Sequence, residues 1–217
     1  RSGDASMLDI AVIQLPHISN FTDFNPLALQ PDVNLRYIKR GESIGQTDLV
    51  ILPGSKNTLA DLTYLQQSGL ALEIQRLAQT GVGVIGICGG YQMLSKQLYD
   101  GVESDIEQME GLGLLDCDTH FAMEKTTTQV TGQIVAPPVG LFQHCCGLPV
   151  QGYEIHMGRT ETGPQLHVFS RLRANNGQQN DRDHDDGAVS ADGNIMGTYV
   201  HGIFDEGQFA RTLLNAL

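Results

Sequence analysis

The segment Val82-Gly83-Val84-Ile85-Gly86-Ile87 runs without a polar residue straight into Cys88-Gly89-Gly90. A strand with one wet face alternates polar and apolar residues, whereas a run that is apolar at every position must be covered on both faces, as inner strands of a parallel sheet are. Two further runs share the pattern. Leu8-Asp9-Ile10-Ala11-Val12-Ile13 is rich in β-branched residues, and Asp48-Leu49-Val50-Ile51-Leu52 passes directly into Pro53-Gly54-Ser55. Between the last two strands, Leu59, Leu62, Leu65, Leu70, Leu72, Ile74 and Leu77 recur at roughly helical spacing, with Gly69 predicted to break the stretch into two helices. Strand, helix and strand alternate. The fold class expected is therefore α/β, with a mostly parallel central sheet flanked by helices and right-handed crossovers.

Beyond about residue 112 the texture changes. Thr126 to Val135 and Val150 to His156 alternate like half-buried antiparallel strands, and Leu166 to Leu172 is a weaker candidate. Ala174 to Gly187 is polar and aperiodic and reads as a surface loop. Ile195 to Val200 reads as a last strand, followed by a helix from Glu206 to Leu217 that Asp205 is expected to cap and that turns Phe209, Leu213 and Leu214 inward. Neither a repeat nor a linker is visible, so residues 1–217 are read as one domain. The start, Arg1-Ser2-Gly3-Asp4, has no initiating Met, which suggests a piece cut from a longer chain.

Composition narrows the function. Lys plus Arg number 13 against 25 Asp plus Glu, a net charge of -12. Nucleic acids and anionic membranes require clustered positive charge, so both are poor partners for this chain. No apolar run approaches the roughly 20 residues of a membrane span. The four cysteines, Cys88, Cys117, Cys145 and Cys146, form no CxxC pair and no evident disulfide framework, which points to reduced thiols in the cytoplasm. Cys145-Cys146 after His144, and the acids from Asp181 to Asp186, lack convincing ligand spacing, and no metal is assigned.

Gly86-Ile87-Cys88-Gly89-Gly90 has the G-x-C-x-G form of a nucleophile elbow, in which a buried strand turns sharply into a helix. At such a turn the helix N-terminus favours a thiolate, and the N–H of Gly89 points where an oxyanion would form. A buried structural cysteine at a tight turn is the alternative. A thiol nucleophile needs a base. His201, at the carboxyl end of the final apolar strand, is the first candidate, since sites gather at those ends in open α/β sheets. His156 is the second, although Tyr153-Glu154-Ile155-His156-Met157 alternates in a way that suits a solvated polar face. Gly54, after another strand, allows a backbone N–H to approach a developing oxyanion, with Ser55 or Asn57 capping the next helix.

In order along the chain, I-S-N-F-T-D-F, L-P-G-S-K-N-T, G-I-C-G-G-Y-Q-M-L, G-Y-E-I-H-x-G and G-T-Y-x-H-G-x-F are each similar to signatures of the class I (triad-type) glutamine amidotransferase family, in its cobyric acid synthase branch. The resemblance covers almost the whole chain. It implies Cys88 as nucleophile, His201 as general base and acid, Gly54 and Gly89 at the oxyanion hole, and Gln92 as a holder of the substrate glutamine. Many members carry a Glu two residues after the base histidine; here that residue is Ile203, which leaves Glu154 or a backbone carbonyl to orient His201, with His156 nearby. The resemblance further implies no cofactor in this domain. ATP and Mg²⁺ would belong to an N-terminal synthetase domain of the same polypeptide, which uses the ammonia to amidate a corrinoid acid in cobalamin assembly. Two other readings compete: an inactive amidotransferase-like docking module, and the glutaminase subunit of a peptidoglycan-amidating ligase.

Overall fold

A computed structural model describes residues 7–100, 107–175 and 183–217, with the backbone alone over 123–126. In chain order its longer elements are β1 (Leu8–Ile13), β2 (Val33–Ile38), β3 (Leu49–Leu52), α1 (Thr58–Ser68), α2 (Leu70–Gln79), β4 (Gly83–Ile87), α3 (Gly89–Met93), β5 (Cys117–Ile134), β6 (Pro149–Thr162), β7 (Ser170–Ala174), β8 (Asp183–Asp186), β9 (Ile195–Thr198) and α4 (Gly207–Ala216). The three apolar runs are strands, and Gly69, at φ 81°, separates the two helices where the spacing placed the break.

Six strands form the first sheet, in the order Ala188–Val189, β9, β4, β3, β1, β2. All neighbours are parallel except Ala188–Val189 on β9. Successive residues of its inner strands serve opposite faces. Ala11, Ile13, Val50, Leu52 and Val84 pack with Leu59, Leu62, Leu65 and Ile74 of α1 and α2. Ile10, Val12, Leu49, Ile51 and Ile85 pack with Val130, Val150, Leu172, Phe169 and Phe209. The first face is thus covered by helices. The second is covered by α4 and by a second, largely antiparallel sheet of seven strands, along the order β8, β7, β5, β6, Val200–His201.

That second sheet is more extensive than the alternation at Thr126–Val135 and Val150–His156 indicates. β5 and β6 pair from Pro149↔Gln133 to Thr162↔Cys117, with an irregularity between Met157 and Arg159. The loop expected over Ala174–Gly187 is overturned at its C-terminal end. Asp183–Asp186 is a strand paired with β7, where Arg171 meets Asp185 and Arg173 meets Asp183 across the ladder. Its run of acids disguises it, because its cross-strand side-chain contacts include two ion pairs in place of apolar ones; residues 176–182 lie outside the described residues. The cap expected from Asp205 is also absent: Glu206 occupies the N-cap position of α4, and its side chain accepts no cap bond.

Candidate active site

The chain leaves β9 at Thr198 and resumes as Val200–His201, which pairs with β6 in the other sheet through Tyr153↔His201. β9 is also the parallel neighbour of β4, with Thr198 opposite Ile87. Cys88 therefore sits one residue, and His201 three residues, past the Ile87–Thr198 pair, at the seam between the two sheets. The crossing is held by Asp186, whose buried carboxylate accepts from Thr198 Oγ1 (2.5 Å), Tyr199 N (3.0 Å) and Ser170 Oγ (3.2 Å). Burial pushes Asp186 up to about 6, against the pull of those donors.

Cys88 adopts φ 51° and ψ -109°, a region that side-chain-bearing residues rarely enter and that costs on the order of 1–3 kcal/mol. Its backbone is clamped from both sides: its N–H donates to Thr198 O at 2.8 Å, and its carbonyl accepts from Gln92 N at 3.0 Å. Gly90 makes the turn possible, since a Cβ there would lie 2.1 Å from the Leu52 carbonyl oxygen. The thiol is nearly buried, and Sγ donates to the Ile155 carbonyl of β6 at 3.1 Å. The helix that follows is only five residues long.

His201 is 1% exposed, and its Nδ1 lies 2.7 Å from Asp23 Oδ2. The Asn20 amide approaches the same nitrogen at 3.2 Å. Both groups come from one tight turn: Asn20 is left-handed (φ 51°), a conformation that Asn tolerates, and it opens the 3₁₀ helix Phe21–Phe24. Burial depresses the His201 imidazolium, but Asp23 and the neighbouring Cys88 sulfur outweigh it and hold its pKa up at about 9. The Tyr153 ring stacks on the imidazole at 5.5 Å. Gly54 admits the ring from the other side, because a Cβ at that position would fall 2.8 Å from His201 Cε1.

These groups face one cavity of about 300 Å³, lined by Cys88, His201, Gln92, Thr58, His156 and Phe121 among others. That volume suits a single amino acid. Gln92 and His156 belong here as much as Cys88 does. His156 is not on a solvated face: it is partly buried, its Nδ1–H donates to the Gly158 carbonyl (3.0 Å), its ring stacks on Tyr199 at 4.0 Å, and burial lowers its pKa, keeping it neutral. Gly89 starts α3 with Ser55 N packed within 2.9 Å of where its Cβ would be, so the two loops meet at the elbow. Gly54 pairs with Ser19 in a two-residue ladder. Asn57, not Ser55, caps α1, accepting from Ala60 N at 3.1 Å.

One assignment is corrected. Glu154 does not orient His201; its carboxylate engages His184 Nε2 at 3.1 Å. The carboxylate on His201 is Asp23, 178 residues away in sequence. Its only sequence signal is its place in I-S-N-F-T-D-F, where nothing distinguishes it from the neighbouring capping and turn residues.

An elbow cysteine, a buried histidine–carboxylate pair and an amino-acid-sized cavity at the carboxyl end of a parallel sheet are the arrangement that acyl transfer through a thiol requires, and solved structures with this fold include glutamine amidotransferases. The PurLQS structure from Thermotoga maritima covers 96% of this chain and 98% of its own with a TM-score of 0.68 at 18% identity. A glutamine amidotransferase from the same organism covers 96% of this chain and 81% of its own with a TM-score of 0.59 at 13% identity. The chain belongs to the CobB/CobQ-like glutamine amidotransferase domain family, which matches residues 9–209. It is 55% identical over 210 residues to the cobyric acid synthase of Yersinia enterocolitica, covering 97% of this chain and 41% of that protein. The cobyric acid synthase of Listeria welshimeri is 51% identical over 215 residues, with 98% of this chain and 40% of that protein covered. The chain thus spans about two fifths of the length of these relatives.

Proposed function

We propose that this domain hydrolyses glutamine through a thioester on Cys88. The observation that carries the reading is the convergence of Cys88 and the Asp23-paired His201 on one cavity. With the proton of the Cys88–His201 pair held on the imidazole, which stays charged up to about pH 9, sulfur adds to the γ-carbonyl carbon of glutamine. The tetrahedral oxyanion is received by backbone N–H groups of the elbow, Gly89 foremost, with Gly54 beside it. His201 then gives its proton to the departing nitrogen, the C–N bond breaks, and ammonia leaves a γ-glutamyl thioester. Water, deprotonated by the same imidazole, cleaves the C–S bond to release glutamate and restore the thiol. Asp23 favours the charged imidazolium formed in both halves and fixes its tautomer. Raising His201 to about 9 is what such a carboxylate does.

Alkylation by 6-diazo-5-oxo-L-norleucine tests this reading. One adduct on Cys88, slowed by glutamine and lost in Cys88→Ala, is expected; labelling elsewhere, or none, overturns it.

We further propose that the ammonia serves an ATP-dependent synthetase region of the same cytoplasmic polypeptide, which amidates carboxylates of a corrinoid acid. The support is the name carried by the relatives and the three fifths of their length beyond this chain. In the full-length protein, Cys88→Ala is then expected to lose glutamine-dependent amidation and keep amidation driven by added ammonia.

A further inference from the structure

Asp61 is fully buried in the first turn of α1, and no step of the proposed reaction uses it. Its Oδ1 accepts from the His17 ring Nδ1 at 2.8 Å and from the His17 main-chain N–H at 3.1 Å. Its Oδ2 accepts from the Ser55 hydroxyl at 2.6 Å. The Lys56 N–H donates to the His17 carbonyl at 2.8 Å, which closes a ring from His17 through Asp61 to Ser55 and back. Burying a carboxylate is costly, and an apolar residue often serves stability at such a position as well or better. A task other than stability therefore suits this acid.

Each segment joined by the ring carries one wall of the site. Beyond His17 and the pair Ile18–Ser19 come the Asn20 amide, 3.2 Å from His201 Nδ1, and Asp23, 2.7 Å from the same atom. On the other segment, a Cβ on Gly54 would lie 2.8 Å from His201 Cε1, and Ser55 N lies 2.9 Å from where a Gly89 Cβ would be. The ladder between the segments, Ile18↔Ser55 and Ser19↔Gly54, is two residues long and too short to be stable alone. The ring sits at its end.

We propose that Asp61 is a positioning residue for the acyl-transfer step: by tying His17 to Ser55 it fixes this ladder, and through it the places of the Asn20–Asp23 turn and of Gly54 around His201. The proposal deepens the glutaminase reading and rests on it. Asp61 is not among the residues lining the cavity, so its loss leaves room for the amino acid and displaces the groups around the imidazole. Misplacement of about 1 Å at reacting groups is enough to slow chemistry by about a hundred-fold.

The test measures Cys88 alkylation by 6-diazo-5-oxo-L-norleucine in the full-length protein, at graded reagent and with graded glutamine as protector. Asp61→Asn keeps the shape of the side chain but turns an NH₂ towards either the Ser55 hydroxyl or the His17 main-chain N–H. Its maximal labelling rate is expected to fall at least about ten-fold, with half-saturating reagent and half-protecting glutamine within about three-fold of wild type. A general loosening of the cavity would weaken binding as well. His17 is half-exposed, and His17→Ala removes one arm of the ring at the surface. A fall of about three-fold or more in the maximal rate is expected there, restored by His17→Asn, whose amide can donate to Asp61 in place of Nδ1. A wild-type maximal rate in Asp61→Asn, or weaker binding with that rate unchanged, would overturn the proposal. If Asp61→Asn does not fold, the His17 pair decides: a wild-type rate in His17→Ala, or no restoration by His17→Asn, overturns it. In each of these cases Cys88 remains the nucleophile, whereas an unlabelled wild type would overturn the glutaminase reading itself.

Discussion

The parallel sheet and the antiparallel sheet contribute to the site in opposite ways. The first is built from short strands apolar on both faces, and it delivers Cys88 through a local event, the turn directly after β4. The second is built from long strands rich in Thr, Gln, Glu and His, and it delivers His201, the Ile155 and Met157 carbonyls and His156 only through pairings far apart in sequence. A nucleophile can be presented by one tight turn. The base and orienting carboxylate proposed to serve it, His201 and Asp23, come from separate segments that must converge, and convergence is a property of the packed core.

Variants on the two sides should therefore fail differently. The largest effect on chemistry is expected from His201→Ala, a loss of roughly 10²–10⁴-fold in glutaminase turnover measured as glutamate release, with the fold retained. On the parallel side, Gly90→Ala should unfold the elbow rather than impair catalysis alone. The added methyl meets the Leu52 carbonyl at 2.1 Å, and a loss of about 3 kcal/mol or more in denaturant unfolding is expected. A normal midpoint in Gly90→Ala would break the view that the elbow is a local backbone device.

Asp23→Asn should reduce turnover by about ten-fold or more, whereas Glu154→Gln should change it less than two-fold, since Glu154 serves His184. Equal losses would return Glu154 to the catalytic group. The pH dependence of stability sharpens the same point. His201 holds its proton to about pH 9 in the folded domain against an ordinary 6.5 in the unfolded chain. The folded state binds the extra proton between those values, so this contribution is fully present below 6.5 and lost as pH rises through 9, on the order of 3 kcal/mol. Urea titrations from pH 6.5 to 9 should show falling stability in the wild type and a flatter profile in Asp23→Asn. The smallest effect is expected from Thr160→Val, which removes the middle link of the buried hydroxyl chain from Tyr199 to Thr119 and should lower stability in urea unfolding by only about 1 kcal/mol.

The apolar runs, the break at Gly69, the elbow at Cys88 and the strand end at His201 are legible because each is encoded in contiguous residues, by periodicity or by a turn that few residue types tolerate. The strand Asp183–Asp186 is not, because its stabilising partners are cross-strand arginines and its polar face imitates a loop. His156 escapes a sequence reading for a related reason: strand alternation assigns it a face, but whether water or a second sheet covers that face depends on the packing of Tyr199 against it. Carboxylates near a histidine in sequence attract attention, yet it is Asp23 that reaches His201, across 178 residues, and Glu154 that is drawn to His184. Local sequence determined which residues are the candidates for chemistry, because strand burial and turn geometry are short-range constraints. Which of them meet was decided by the tertiary structure, because a hydrogen bond of under 3 Å depends on how two sheets close over one core.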